Sequence, residues 1–280
     1  MQHSLDSIRA APWAITPDRL QIIAALPSVG SGEARAPSVP APATIGGIAV
    51  LPLVGVLVPN ASDLGEILGL LSLKRFTQSF RAALADDSVR GILIDIDSPG
   101  GSLFGIQELA EEVFRARARK PIFAIADSLA ASAAYWIGSS ASEFYITPGG
   151  EAGSIGVFAM HRNVAKALDK AGIKPTLISA GKYKMESSPF GPLTVAARKH
   201  LQSEVDTRHD SFTRSVARNR NVDVAAVRNG MGQGRVLNAQ SALAEGMADG
   251  VGSYDQILNK LARRVGQRAT GDSAILRLLH

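Results

Sequence analysis

Three observations predict an α/β fold with a helical C-terminal region. Short apolar runs of strand length, Val89–Ile96 (VRGILIDI) and Pro121–Ala126, alternate with segments whose apolar residues recur at helical spacing. Each run stops in a turn rich in small residues, Asp97-Ser98-Pro99-Gly100-Gly101-Ser102 after the first and Asp127-Ser128-Leu129-Ala130-Ala131-Ser132 after the second. The chain is 280 residues long and 46% hydrophobic, enough to bury a substantial core and far from the composition of a disordered protein.

In chain order, residues 1–26 read as an N-terminal arm with a helix over 17–26, and residues 27–44, dominated by Pro, Ala, Ser and Gly, read as a linker. Ile48–Val58 reads as paired β-strands. Leu73, Phe76, Phe80 and Leu84 then share one helical face, the buried strand 89–96 follows, and Ile106, Leu109, Ala110, Val113 and Phe114 mark a second amphipathic helix. After the strand 121–126 comes a helix opened by Ser132. Strands near Glu143–Thr147 and Ile155–Met160, a helix near Val164–Ala171 and a strand at 174–179 complete the alternation. The remainder is helical, ending in a basic tail at 263–280. No internal repeat is visible.

Composition excludes several classes of function. With no cysteine there is no disulfide, no thiolate metal site and no cysteine nucleophile, which fits a reducing, cytoplasmic setting. The net charge of +5 comes largely from Arg214–Arg235 and Lys260–Arg268. Without a zinc-finger spacing, a P-loop or the aromatic content of a base-stacking platform, these charges read as solvated helix surface, and no nucleic-acid partner is expected. Residues 36–62 carry no charge, but their apolar part, Ile45–Val58, is shorter than the about 20 residues a span needs, and Gly46, Gly47, Pro52 and Gly55 interrupt it. No membrane helix is expected. The N-terminus lacks the ordered regions of a secretory signal.

The chemistry concentrates in Ser132. A serine at the start of a helix, directly after a strand, presents its hydroxyl at a sheet edge where backbone N–H groups can meet a developing oxyanion, and the flanking alanines leave room for a substrate carbonyl. Gly100 and Gly101 form a second strand-to-turn frame whose backbone can approach a ligand closely. Serine needs a base. About fifty residues on stand Lys182 and Lys184, which on an extended strand would share a face. Lysine abstracts a proton only when neutral, so bringing its ordinary pKa of about 10.4 down near 7 takes about 4 kcal/mol of environmental bias. Met185, Phe190 and the neighbouring lysine are the candidate sources. His161 is a rival base, but it opens a polar stretch and lacks a third acid. His3, His200, His209 and His280 read as surface residues. Asp95 and Asp97 share a strand face but lack the further ligands a metal would need, so no metal is expected.

Four stretches, IDSPGGS (96–102), SLAASAAYW (128–136), GSIGV (153–157) and SAGKYK (179–184), resemble the signal peptide peptidase A family of Ser/Lys proteases in order and spacing. GRVLNAQSALAEGMADGVG (234–252) is a fifth block. The likeness is strongest to the family's phage head-maturation, or capsid assembly, branch, and it spans roughly 45–262, taken as the protease domain. The resemblance implies a ClpP/crotonase-like superfold of repeated ββα units. It further implies Ser132 as nucleophile, Lys184 rather than Lys182 as base, and the N–H groups of Gly101 and Ala133 as the oxyanion hole. No cofactor is implied. Two positions depart from the family pattern: Ala133 and Ala134 stand where glycines are usual, and Met185 where an acidic residue is usual. Alanine still donates an N–H; the missing carboxylate removes one means of positioning the loop.

The implied activity is that of a serine endopeptidase acting on scaffold, portal or capsid proteins inside a prohead. Alternatives are clearance of residual signal peptides, acyl-CoA chemistry of the crotonase type, or an inactive prohead assembly protein. The chain resembles the half-length form of the family, which implies a homo-oligomer whose serine and lysine meet across a subunit boundary.

Overall fold

The computed structural model describes residues 13–15, 42–62, 65–66 and 69–266. The expected helix at 17–26, most of the linker and all but the start of the C-terminal tail lie outside the described residues, as do His3 and His280. The strands are β1 (Trp13–Ile15), β2 (Ala43–Ile45), β3 (Ile48–Val54), β4 (Val56–Val58) and β5 (Leu70–Ser72), followed by helix α1 (Leu73–Ala85). Next come β6 (Gly91–Ser98), β7 (Gly100–Ser102), α2 (Ile106–Ala116), β8 (Ile122–Ala131), α3 (Ala133–Ser139), β9 (Glu143–Ile146), β10 (Glu151–Gly153) and α4 (Ala165–Lys170). The rest is α5 (Val195–Arg220), α6 (Val224–Asn229), a 3₁₀ turn, β11 (Val236–Asn238), α7 (Ala239–Ala244), β12 (Gly250–Val251) and α8 (Tyr254–Arg264).

Two sheets result. The larger runs β11-β10-β8-β6-β3-β2, with β9 paired to β8 and β12 paired to β9, and its central β3, β6, β8 and β10 are parallel. The smaller runs β1-β7-β4-β5. The chain therefore repeats one unit: a strand in the large sheet, one or two strands in the small sheet, then a helix, as in β3-β4-β5-α1 and β6-β7-α2. These are the repeated ββα units expected of the ClpP/crotonase-like superfold.

Period-2 alternation sorts the side chains of the large sheet. Ile92, Ile94 and Ile96 of β6, with Ile122, Ala124 and Ala126 of β8, enter the main core against α1, α2 and α3. Leu93, Phe123 and Ile125 point the other way and are covered by Ile257, Leu258 and Leu261 of α8. Helix α1 starts where Ser72 caps the N–H of Arg75, and its Phe76, Phe80 and Leu84 are buried as the spacing predicts.

Four expectations need correction. Ile48–Val58 does form strands, but β3 and β4 are not paired with each other: Gly55, at φ +94°, turns the chain out of the large sheet and into the small one. A β-carbon there would lie 2.4 Å from the carbonyl oxygen of Gly69. Among the described residues, Ile155–Met160 pairs only through the bridge Trp13 to Phe158. Residues 174–179 form no strand and are exposed, since among the described residues no strand pairs with their backbone groups. Phe114 is half-buried instead of facing the core, lying under the guanidinium groups of Arg117 and Arg218 at 4.4 and 3.9 Å.

Candidate active site

Ser132 sits on the turn from β8 into α3, with φ 55° and ψ −117°. This conformation lies outside the strand and helix regions and costs on the order of 1–3 kcal/mol, which the surrounding contacts must offset. They are visible: the Ser132 N–H donates to the carbonyl of Gly153 at 2.7 Å, and the Ser132 carbonyl accepts from Trp136 at 2.9 Å. The alanines make the turn possible, since Ala130, Ala131, Ala133 and Ala134 are all fully buried where larger side chains would collide. The Ser132 hydroxyl is itself buried and donates to the carbonyl of Gly156 at 3.4 Å.

The Gly100–Gly101 strand runs alongside. A β-carbon on Gly100, which has φ +94°, would stand 3.0 Å from both the Ala131 carbonyl oxygen and the Ser132 Cβ. One on Gly101 would stand 2.0 Å from the Leu57 carbonyl oxygen, so the pairing of β7 with β4 requires glycine there. Ser98 braces the entry, donating from its hydroxyl to Gly55 at 2.7 Å and accepting from Gly100 at 3.2 Å. Ala133 is the first residue of α3, a position whose N–H has no intrahelical acceptor. Ser132 and the adjoining Ala133 thus lie beside the Gly100–Gly101 strand, with Gly100 nearest to Ser132. A hydroxyl on a strained strand-to-helix turn, beside a glycine backbone edge, is suited to acyl transfer.

GSIGV forms the opposite wall. Gly153 has φ +133°, a β-carbon on it would lie 2.5 Å from the Arg235 carbonyl, and Ser154 N–H donates to that same carbonyl at 2.8 Å. The C-terminal block that contains Arg235 therefore fixes the loop that fixes Ser132.

Lys184 is placed differently. It lies on an exposed turn in which its N–H donates to Gly181 at 3.1 Å, and among the described residues Ser132 Oγ bonds to Gly156 alone. The apolar surroundings expected of Met185 and Phe190 are open in the single chain, at 37% and 39% exposure. Lys182 is exposed too, with its ammonium 5.0 Å from the Tyr183 ring. His161 Nε2 pairs with the Gly191 carbonyl at 3.1 Å. His200 is exposed as expected; His209 is half-buried.

A second polar cluster lies around Asp95, Asp97, Asp127 and Tyr254. Burial, then repulsion from Asp127 and Asp97, pushes the Asp95 carboxyl up to about 7. Burial and the charge of Asp97 raise Asp127, and Tyr254 is raised by burial and then by Asp95 and Asp127. Among the described residues no group of His, Cys, Asp and Glu is arranged to hold a metal ion.

Sequence reading passed over β1. The apolar triplet Trp13-Ala14-Ile15 was the available signal, hidden inside a segment read as an arm. It is fully buried beside the Gly100–Gly101 strand.

The fold is built on ββα units, with a serine on the strained turn from β8 into α3. The chain belongs to peptidase family S49, whose model matches residues 115–268. It is 32% identical to the head-tail preconnector protein GP5 of Enterobacteria phage P21, covering 81% of this chain and 45% of that protein. It is 34% identical to the capsid assembly protease C of Escherichia phage lambda, covering 72% of this chain and 46% of that one. Protease 4 of Haemophilus influenzae is 29% identical over 79% of this chain and 35% of its own length. The chain spans about half the length of the phage relatives it matches. No helix among the described residues is long and apolar enough to cross a membrane.

Proposed function

We propose that the protein is a serine endopeptidase in which Ser132 is the nucleophile, Lys184 the general base and then acid, and the N–H groups of Gly101 and Ala133 the oxyanion donors. The observation that carries this reading is the strained turn at Ser132, held against the Gly100–Gly101 strand by the GSIGV loop. Ser132 Oγ adds to a peptide carbonyl carbon and gives its proton to neutral Lys184. The negative oxygen is met by backbone N–H groups already in place, so little reorganisation is needed. Lys184 returns the proton to the leaving amine, and water hydrolyses the ester. No cofactor takes part.

Two features support an assembly in which the base comes from a neighbouring copy. Lys184 is exposed and unconnected to Ser132 within one chain, and the segment around it carries Ile173, Leu177, Ile178, Tyr183 and Val195 with their side chains open to solvent. Such a patch suits burial against a second copy. The names of the two phage relatives favour a phage or prophage role, with scaffold, portal or capsid proteins as substrates inside a prohead in the cytoplasm.

Labelling with a phosphonofluoridate tests the assignment. Modification of Ser132 and a loss of turnover on the order of 10⁴-fold in Ser132→Ala are expected. Full activity in a clean Ser132→Ala preparation would overturn it, and an unlabelled Ser132 would favour an acyl-CoA enzyme or an inactive assembly protein.

A further inference from the structure

The strand β1 occupies the groove in front of Ser132. Its residues pair antiparallel with β7, Trp13 opposite Ser102, Ala14 opposite Gly101 and Ile15 opposite Gly100. On its other side, Trp13 N–H donates to the Phe158 carbonyl at 3.0 Å and Phe158 N–H donates to the Trp13 carbonyl at 3.1 Å. Three residues thus bridge the glycine strand and the loop after Ser154, the two walls of the site. Antiparallel strands turn the polar groups of successive residues to alternate sides. With those of Trp13 spent on Phe158, the N–H and carbonyl of Ala14 turn to β7, where Gly101 is the partner.

The Ala14 carbonyl and Ser132 consequently border the same glycine, Gly100. A β-carbon built on Gly100 would stand 2.2 Å from the Ala14 oxygen and 3.0 Å from Ser132 Cβ, so both groups converge on one spot. Trp13, Ala14 and Ile15 are 1%, 0% and 2% exposed. Trp13 and Ile15 pack with Val56 and Phe158, and the Trp13 indole N–H has no acceptor among the described residues. The pocket therefore selects a large apolar side chain without selecting an indole, whereas the position of Ala14 admits only a small one.

We infer that Trp13-Ala14-Ile15 is the chain's own substrate strand, bound to the groove by β-addition, and that the peptidase cuts the Ala14–Ile15 bond. The inference rests on the function proposed above. Ser132 Oγ bonds to the Ala14 carbonyl carbon, the Ala14–Ile15 C–N bond breaks, and the Ser132 proton passes through the lysine base to the Ile15 amine. Water then hydrolyses the ester, restoring Ser132 and leaving a carboxylate on Ala14. The substrate class that follows is an extended segment with a large apolar residue, then alanine, then an apolar residue after the cut.

Intact-mass and N-terminal analysis of the incubated full chain tests this, alongside hydrolysis of a quenched fluorescent peptide containing Trp-Ala-Ile. The wild-type chain should acquire Ile15 as its N-terminus, Ser132→Ala should stay intact, and Trp13→Phe should still be cut. Ala14→Phe should slow the cut by about 100-fold, since a bulky side chain misplaces the carbonyl. Ser132-dependent hydrolysis of the peptide by a chain whose 14–15 bond stays whole, or is cut elsewhere, overturns the inference and leaves the function standing. Hydrolysis that survives Ser132→Ala overturns the function itself, and a chain that cuts neither peptide nor itself overturns both.

Discussion

The indole of Trp136 and the ring of Phe212 stack almost parallel, their centroids 4.4 Å apart and their planes 5° from one another. This contact joins α3, the helix entered from the Ser132 turn, to the C-terminal half of α5. Asn219 extends it, donating from Nδ2 to the hydroxyls of Ser139 at 3.1 Å and Ser140 at 2.9 Å. The first half of α5 is largely exposed, so its docking depends on this end. Phe212→Ala should lower unfolding free energy by about 3–5 kcal/mol in denaturant titration, the cost of emptying a fully buried aromatic site. A loss below about 1 kcal/mol would mean that α5 does not anchor α3.

The close approach at Gly101 separates a built backbone edge from an ordinary turn. Gly101→Ala would drive a methyl group to 2.0 Å from the Leu57 carbonyl oxygen, forcing β7 away from β4 and its N–H away from the site. Peptide hydrolysis should fall about 10²–10³-fold, as for loss of one oxyanion donor. Gly149→Ala is the control, since nothing lies within 4 Å of the added carbon, and its stability should stay within about 0.5 kcal/mol of wild type. Equal kinetics for the two variants would refute the role of Gly101.

Much of this arrangement was legible in the sequence because it depends on local rules. The runs 89–96 and 121–126 announced strands through their apolar continuity, and the small residues after them announced turns. The turns carrying Gly100–Gly101 and Ser132 could be set side by side because they follow β6 and β8, neighbouring strands of one parallel sheet. What was not legible depends on distant backbone. Gly55 lies inside a run that reads as paired strands until Gly69 is known to press against it, and residues 174–179 read as a strand but have no partner strand among the described residues. Trp13–Ile15 became a strand only because β7 and Phe158 left a strand-wide gap, which no local pattern encodes.

Asp95 gives a pH dependence with a definite sign. Its carboxyl is raised from 3.8 to about 7 in the folded chain, by burial first and then by Asp127 and Asp97. Between those values the native state keeps a proton that the unfolded chain has released, so stability falls as pH rises across the window and levels off above it. Asp95→Asn removes the penalty. Its stability should match wild type near pH 4 and exceed it by about 2–4 kcal/mol at pH 8, by urea titration at each pH. A difference that stays constant over that range would show that Asp95 is not desolvated by folding.

Lys184 is exposed within one chain, while the Ser132 hydroxyl is buried and bonded only to Gly156 among the described residues. If the base reaches Ser132 from a neighbouring copy, Ser132→Ala and Lys184→Ala should each be inactive alone yet recover part of the wild-type turnover when refolded together, because some interfaces then pair an intact serine with an intact lysine. Lys184→Arg should be nearly as damaging as Lys184→Ala, since guanidinium keeps its proton, whereas Lys182→Arg should remain active. Sedimentation of the active species should give a closed oligomer, with the open apolar side chains from Ile173 to Val195 covered by a second copy. Mixtures verified to contain both chains that stay dead at every ratio, or a fully active monomer, would place the lysine and serine of each site in one chain. Inactivity of Lys182→Arg with full activity of Lys184→Arg would instead transfer the role of base to Lys182.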